Sequence, residues 1–238
     1  MWTGRGGSDH GGEDPLVRYT AHGSNLHAAR FGCYLYGGRP EGAARARPGR
    51  RDRRTPRREA ALTLPGGPYF AGRSPTRGCG TAFRDPALSG EVPCRAHPVT
   101  VGQFSDVAAQ ETHRSPGADL DLTRVPATGR DEPGPGRYES LLCAGGPAGH
   151  PLLAFTSPTG LSAAEPTAPS AAHPRTPGAG LAQSRARGPR RTAGYLAARP
   201  GASGHRTPAM AAAPLGRTGD GAGPSRFRSP GSGGRPGR

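Results

Sequence analysis

The chain has 238 residues, of which 40 are Gly and 28 are Pro, and its formal net charge at pH 7 is +15. Leu, Val and Phe together reach only about 12%, below the roughly 20% under which a strongly charged chain is expected to be disordered. These counts exclude most folded enzymes, because too little apolar surface is available to offset the chain entropy that folding removes.

The composition therefore predicts a predominantly intrinsically disordered, low-complexity Gly/Ala/Arg/Pro-rich chain with short transient helices or strands and no stable globular domain. Lys and Ile are absent and Asn25 is the one asparagine. Because the codons of these three residues are AT-rich, the pattern also matches translation of a GC-rich open reading frame. The first function hypothesis is a product of such a frame, with no dedicated catalytic activity and at most non-specific electrostatic binding to polyanions.

Residues 1–38 form the first of four segments, a Gly-rich lead followed by an aromatic cluster, and we expect weak order at best. The cluster contains Tyr19, Phe31, Tyr34 and Tyr36. Its pattern favours about two helical turns over residues 25–31 and a short strand over 33–36.

Residues 39–58 form a basic block. Seven of the twelve residues 47–58 are arginines, namely Arg47, Arg50, Arg51, Arg53, Arg54, Arg57 and Arg58. Guanidinium groups present forked donors that match phosphate oxygens, so the block predicts non-specific binding of RNA, DNA or acidic proteins, and nuclear targeting. The alternative is a solvated, disordered charge run without a selected partner.

Residues 59–143 are near neutral and have most of the residual helix and strand propensity. A helix is predicted over 57–64 and a short capped helix over 105–112. Val99 with Val101 and Leu120 with Leu122 show the alternation typical of strands. Residues 144–238 are predicted to be a disordered basic tail rich in Gly, Pro and Ala.

Arg-[Ser/Thr]-Pro occurs six times, which predicts phosphorylation by proline-directed kinases at Thr55, Ser74, Ser115, Thr176, Thr207 and Ser229. Six phosphates would nearly cancel the positive charge and weaken anion binding. The second hypothesis is therefore a disordered nuclear or nucleolar nucleic-acid-binding regulator tuned by phosphorylation. Alternatively, the same triplets could arise from a short GC-rich nucleotide sequence that recurs in the encoding DNA, without selection for phosphorylation.

The tetrapeptide Pro166, Thr167, Ala168 and Pro169 resembles the late-domain motif that binds the ubiquitin-conjugating-enzyme-variant domain of the ESCRT-I machinery. This resemblance covers four residues and implies a third hypothesis, a short-motif protein–protein adaptor.

Catalytic and metal-binding signatures are not found in the sequence. Without Lys there is no phosphate-binding loop of the Walker type, and no nucleophile elbow occurs. Four residues, Cys79, Cys94, His97 and His113, are possible zinc ligands. Structural zinc sites, however, normally show two pairs of ligands that are close in the sequence. We therefore predict no enzyme, no metal and no cofactor.

The most apolar long run, residues 141–155, is too short and too often broken by Pro to span a bilayer. The start of the chain has no apolar signal region. The predicted location is nuclear or nucleolar, otherwise cytoplasmic, without secretion or a membrane span, and the predicted state is a monomer.

Overall fold

Two β-sheets and five helices are formed by the residues that the computed structural model describes, which are 16–41, 43, 45–56, 59–74, 78–146, 150–169, 175–185 and 188–202. The strands are β1 Leu16–Ala21, β2 Ala60–Pro65, β3 Gly67–Arg73, β4 Gly80–Asp85, β5 Glu91–Thr100, β6 Arg130–Asp131, β7 Ser140–Cys143 and β8 Leu152–Thr156. The helices are α1 Ala28–Tyr36, α2 Val101–Glu111, α3 Val125–Thr128, α4 Arg175–Arg185 and α5 Pro189–Ala197, with 3-10 turns at Ser24–Leu26 and Leu161–Ala163.

The larger sheet is mixed and has the strand order β2-β5-β1-β8-β7-β6. At its centre, β1 pairs antiparallel with β5 and parallel with β8. The smaller sheet is the antiparallel pair β3-β4. The two sheets are joined by the Thr156 hydroxyl on β8, which accepts a hydrogen bond from the Arg84 backbone N–H on β4 and donates one to the Arg84 carbonyl. Strands from residues 16–21 and 152–156 thus meet in one sheet although they lie far apart in the sequence.

The main core lies between the central strands and helices α1 and α2. Aromatic rings fill it, with the ring centroids of Phe104 and Phe155 at 4.7 Å and those of Tyr19 and Phe31 at 5.4 Å. Small residues complete it, including the buried Ala21 on β1 and Ala108 on α2. Such close packing gains dispersion energy that a count of large apolar side chains alone misses.

Helix α2 begins at a capping box. The Thr100 hydroxyl accepts a hydrogen bond from the Gln103 backbone N–H, and the Gln103 side chain accepts one from the Thr100 backbone N–H. This arrangement satisfies two otherwise unpaired donors, so it fixes where strand β5 ends and the helix starts.

Helices α4 and α5 pack against the 3-10 turn that follows β1. Leu181 and Leu196 form an apolar cluster with Leu26, and the Gln183 side chain accepts a hydrogen bond from the Ala28 backbone N–H. The C-terminal helices therefore support the turn between β1 and α1.

The prediction of a disordered, low-complexity chain without a globular domain is wrong: the described residues form a mixed sheet of six strands with packed helices. The entropy argument failed because it left out Ala, Cys, backbone burial and hydrogen bonds. These contributions are large here, since seven of the buried core residues are alanines, namely Ala21, Ala71, Ala96, Ala108, Ala154, Ala193 and Ala202.

Individual elements also differ from the predicted ones. Residues 60–65 form strand β2 where a helix was predicted, and residues 33–36 belong to helix α1 where a strand was predicted. The predicted helix over 105–112 corresponds to α2, which begins four residues earlier. The division into four segments by composition stays a prediction. Within the described ranges, no helix is long and apolar enough to cross a membrane.

Candidate functional site

A polar cleft of about 500 Å³ opens beside the C-terminal end of α2. Its walls come from the 3-10 turn after β1, from α1, from residues 45–48 and from the loop before β7. Segments distant in the sequence therefore meet here, which a rigid scaffold makes possible and a disordered chain does not.

The Glu111 carboxylate at the end of α2 is held by a buried amide. Asn25, which is 3% exposed, donates from Nδ2 to Glu111 Oε1 at 2.6 Å and to the Tyr19 hydroxyl at 3.0 Å. The Asn25 Oδ1 atom is buried and has no hydrogen-bond partner among the described residues. Gly23 and the 3-10 turn reverse the chain after β1, and this reversal brings Asn25 next to α2.

Three tyrosines lie around Glu111. Burial raises the pKa of Tyr19, Tyr34 and Tyr138, and the nearby Glu111 carboxylate raises each pKa further. The interaction of the Tyr34 hydroxyl with the Glu111 side chain also raises the pKa of Tyr34. The tyrosines therefore remain neutral hydrogen-bond donors over the whole physiological pH range.

Five arginines, Arg30, Arg45, Arg47, Arg114 and Arg137, line the cleft together with the carboxylates of Glu111 and Glu139. Two of the arginines are fixed by neighbours. Arg30 Nε donates to the Ser24 hydroxyl at 2.8 Å, whereas Arg47 Nη1 donates to the Gln110 carbonyl at 2.6 Å and its guanidinium lies 4.6 Å from the centre of the Tyr34 ring. A rim with this excess of positive charge attracts small anions.

The basic block contributes to the fold as well as to the surface. Arg47 lines the cleft, and Arg50 is buried, with Nη2 donating to the Arg54 carbonyl. Arg51 forms ion pairs with Asp106 and Asp119. Arg53 and Arg54 are exposed, and Arg54 pairs with Asp52. Arg57 and Arg58 lie outside the described residues.

Two of the predicted phosphorylation sites line the cleft, Ser74 and Ser115. Thr55 is exposed and accepts a hydrogen bond from the Tyr36 hydroxyl. The side chain of Thr176, and Thr207 and Ser229 altogether, lie outside the described residues. Phosphorylation at these positions stays a prediction.

The late-domain-like tetrapeptide is docked against the smaller sheet. Pro166 forms a β-bridge with Ala71, Thr167 N–H donates to the Phe70 carbonyl at 3.0 Å, and Gly80 N–H donates to the Ala168 carbonyl at 2.8 Å. Pro169 is buried. Capture of this tetrapeptide by a partner would therefore require these backbone contacts to open.

The sequence-predicted ligand types do not assemble into a metal centre within the described part of the chain, where no group of three or more His, Cys, Asp or Glu side chains converges. His97 instead packs in the core against Phe31, with ring centroids 4.2 Å apart and the ring planes tilted by 33°.

The residues that sequence reasoning missed are Glu111, Asn25 and Tyr34. A signal was present in the sequence: the single asparagine follows a Gly-Ser pair that begins two residues after the segment 16–21, inside the densest aromatic cluster. Glu111 lies at the end of a predicted helix, but nothing local indicates that this helix end faces Asn25.

No protein-family model matches the chain. It is 28% identical over 153 residues to histone deacetylase 5 of Arabidopsis thaliana, an alignment that covers 59% of this chain and 23% of that protein. The chain thus spans less than a quarter of the length of this relative.

Two solved structures share a similar arrangement at 13% sequence identity and a TM-score of 0.43 each. One is an uncharacterized protein from Homo sapiens, with 71% of this chain and 80% of that chain covered. The other is a γ-glutamyl cyclotransferase, with 72% and 81% covered.

The prediction of a chain with no catalytic activity depended on the lack of a scaffold, and that premise is wrong. The described residues form an ordered fold in which Glu111 lines a cleft and the buried Asn25 amide holds its carboxylate. The hypotheses of an inactive reading-frame product and of a disordered nucleic-acid-binding regulator both assumed a disordered chain, so they are set aside as well.

Proposed function

We propose that this protein is an enzyme in which Glu111 moves a proton during amide chemistry on a small substrate that carries a carboxylate. The observation that supports the proposal is the Glu111 carboxylate, held at 2.6 Å by the buried Asn25 amide inside a cleft of about 500 Å³. A carboxylate fixed in this way is a suitable general acid–base group, because its position is set before the substrate binds.

The substrate itself supplies the nucleophile in this proposal. The cleft walls that the structure describes contain no cysteine, and Ser24, the residue next to Asn25, accepts a hydrogen bond from Arg30. An amine of the substrate attacks its own amide carbonyl, and Glu111 accepts the proton that this amine loses. Glu111 then returns the proton to the departing nitrogen, so that the new carbon–nitrogen bond forms as the old one breaks and a lactam and a free amine result.

The other residues of the cleft bind and orient the substrate. Arg30 and Arg47 are placed to pair with its carboxylate, and Arg can do so through two parallel hydrogen bonds. The Asn25 amide holds Glu111 in place, and the Tyr34 hydroxyl lies near its carboxylate. A γ-glutamyl amide contains the three required groups, a carboxylate, a free amine and an amide within reach of that amine.

Glu111→Gln tests the proposal. Purified wild-type protein is offered a panel of γ-glutamyl amides, and release of the free amine is measured. The substitution should lower kcat by about 10²–10⁴-fold, because glutamine cannot exchange the proton. Glu132→Gln serves as the matched control, since Glu132 is half exposed and pairs with Arg130 outside the cleft.

Melting curves of both variants verify that they are folded. Equal turnover by wild type and Glu111→Gln, or no turnover of any panel member by the wild type, would count against the proposal.

We keep three narrower proposals separate from the enzyme function. Exposed arginines of residues 47–58 bind RNA, DNA or acidic proteins non-specifically, the protein is nuclear or nucleolar, and it is a monomer. The high density of arginine supports the first two. Salt-dependent RNA binding, microscopy of the tagged protein and light scattering test them in turn.

A further inference from the structure

A second cavity, the side pocket, adjoins the cleft and has a volume of about 170 Å³. Tyr138, Glu139 and Arg114 line both spaces. Leu120, Leu141 and Phe155 form apolar parts of the remaining wall, and Asp119, Ser105, Thr112 and Ser115 contribute polar groups to it. The volume corresponds to roughly five or six water molecules, which suits a short alkyl chain.

The carboxylate between the two spaces belongs to Glu139, which is 5% exposed. The Gly136 backbone N–H donates a hydrogen bond to Glu139 Oε2. Any Cβ atom added to Gly134 or Gly136 would collide with the carboxyl group, so two glycines form a cradle around it. A buried carboxylate that is packed so closely keeps its place when its partner changes.

The cation that pairs with Glu139 is much less constrained. Arg114 forms the ion pair, and its side chain is 60% exposed. Removing a partner from a buried carboxylate is costly unless another cation replaces it. Because the Arg114 side chain can turn into solvent, a cation that enters from the cleft can take its place at little cost in packing.

We propose that Glu139 and the side pocket form a subsite for a short alkyl arm of the substrate that ends in a primary ammonium group, with Arg114 holding the carboxylate in the free protein. This inference rests on the proposed function and narrows its substrate class to carboxylate-bearing amides with an aminoalkyl arm. The apolar parts of the wall accommodate the methylene groups, and Glu139 pairs with the terminal charge.

The test uses n-butylammonium as the probe and follows amide chemical shifts of the protein at constant ionic strength. Wild type should bind n-butylammonium in a saturable manner and bind n-butanol and tetramethylammonium more weakly. Arg114→Ala should tighten n-butylammonium binding about three- to fivefold, because the competing guanidinium is gone. Arg53→Ala removes the same charge from an exposed position of the basic block and should leave the affinity unchanged.

Glu139→Gln keeps the shape of the side chain and should abolish the preference for n-butylammonium over n-butanol. Weaker or unchanged n-butylammonium binding in Arg114→Ala overturns the inference, because the ion pair would then be structural only. Glu111→Gln should bind n-butylammonium as wild type does. If the probe binds as expected while no panel amide is turned over, the proposed function fails and the subsite stands.

Discussion

Single buried polar groups determine what the cleft can do. The Asn25 Nδ2 amide group donates hydrogen bonds to both the Glu111 carboxylate and the Tyr19 hydroxyl. It therefore connects the carboxylate at the end of α2 to the aromatic core. A hydrogen bond to a charged group is about twice as strong as one between neutral groups. Asn25 therefore links the stability of the core to the position of the proposed acid–base group.

His97 is a second buried polar residue, and its environment makes stability depend on pH. Burial lowers its pKa to about 3, and the positive charges of Arg95 and Arg50 act in the same direction. The Glu59 carboxylate lies 3.4 Å from Nδ1, but it is half exposed and also pairs with Arg95. His97 is thus neutral in the folded protein and becomes protonated near pH 6.5 once the chain unfolds.

His97→Phe should flatten the acid limb of the stability profile. The folded pKa lies below the unfolded pKa, so the contribution of His97 is fully present above about pH 6.5 and is lost as the pH falls toward 3. Between pH 5.5 and 4, wild type should lose about 1.4 kcal/mol more per pH unit than the variant. Urea unfolding at several pH values measures this difference. Parallel profiles for the two proteins would show that the pKa of His97 is not lowered by burial.

At the scale of elements, helix α2 carries the site because both of its ends are fixed. Its beginning could be predicted approximately from composition, since residues 105–112 contain helix formers, but the capping residue Thr100 lies at the end of a strand. Its end is set by His113, whose φ of 63° lies in the left-handed region that favours glycine. At this helix end the Arg114 backbone N–H donates a hydrogen bond to the Ala109 carbonyl at 2.7 Å, as in a Schellman motif.

His113→Gly should stabilise the protein by about 1 kcal/mol, because glycine adopts the left-handed conformation without the cost of a Cβ atom. Urea unfolding at pH 7 measures the change. His113→Ala is the matched control, since it removes the imidazole but keeps the Cβ atom, and it should give no gain. A gain in the alanine variant equal to that in the glycine variant would assign the effect to the imidazole instead of the backbone.

Other elements could not be predicted because their stability comes from partners distant in the sequence. Strand β2 contains Ala60 and Ala61 and ends at Pro65, which gives no strong strand pattern, yet it pairs along its whole length with β5. Residues 25–31 were expected to be helical, and they contain the end of a 3-10 turn and the beginning of α1. The turn is stabilised by contact of Leu26 with Leu181 on α4, more than a hundred residues further along the chain. Local propensity contains no information about such pairings.

For the whole molecule, the decisive property is that small residues allow close approach between segments. Leaving out the ends of the chain does not restore a conventional core composition, since Leu, Val and Phe reach only about 14% of residues 16–202. Instead, alanines and cysteines fill the core and glycines let backbones meet, as Gly201 does against Phe70. A count of large apolar side chains therefore underestimated how densely these residues can pack.

One such close approach near the site is that of Gly180 on α4 to Leu26. An added Cβ atom would collide with both the Leu26 side chain and its backbone. Leu26 follows Asn25 in the 3-10 turn, so displacement of the turn would move the amide that holds Glu111. The C-terminal helices and the cleft are thus coupled through this turn, which Gly180, Leu181 and Gln183 all contact.

Gly180→Ala should destabilise the protein by about 1–3 kcal/mol through overpacking, and should lower turnover of the proposed substrates although residue 180 does not line the cleft. Gly194→Ala is the matched control: Gly194 is exposed on α5, an added Cβ atom meets nothing within 4 Å, and alanine should stabilise the helix by up to about 1 kcal/mol without changing turnover. Unfolding curves and steady-state kinetics of both variants give the comparison. If the two substitutions have the same effect, the C-terminal helices do not position the turn that carries Asn25, and its geometry is set by β1 and α1 alone.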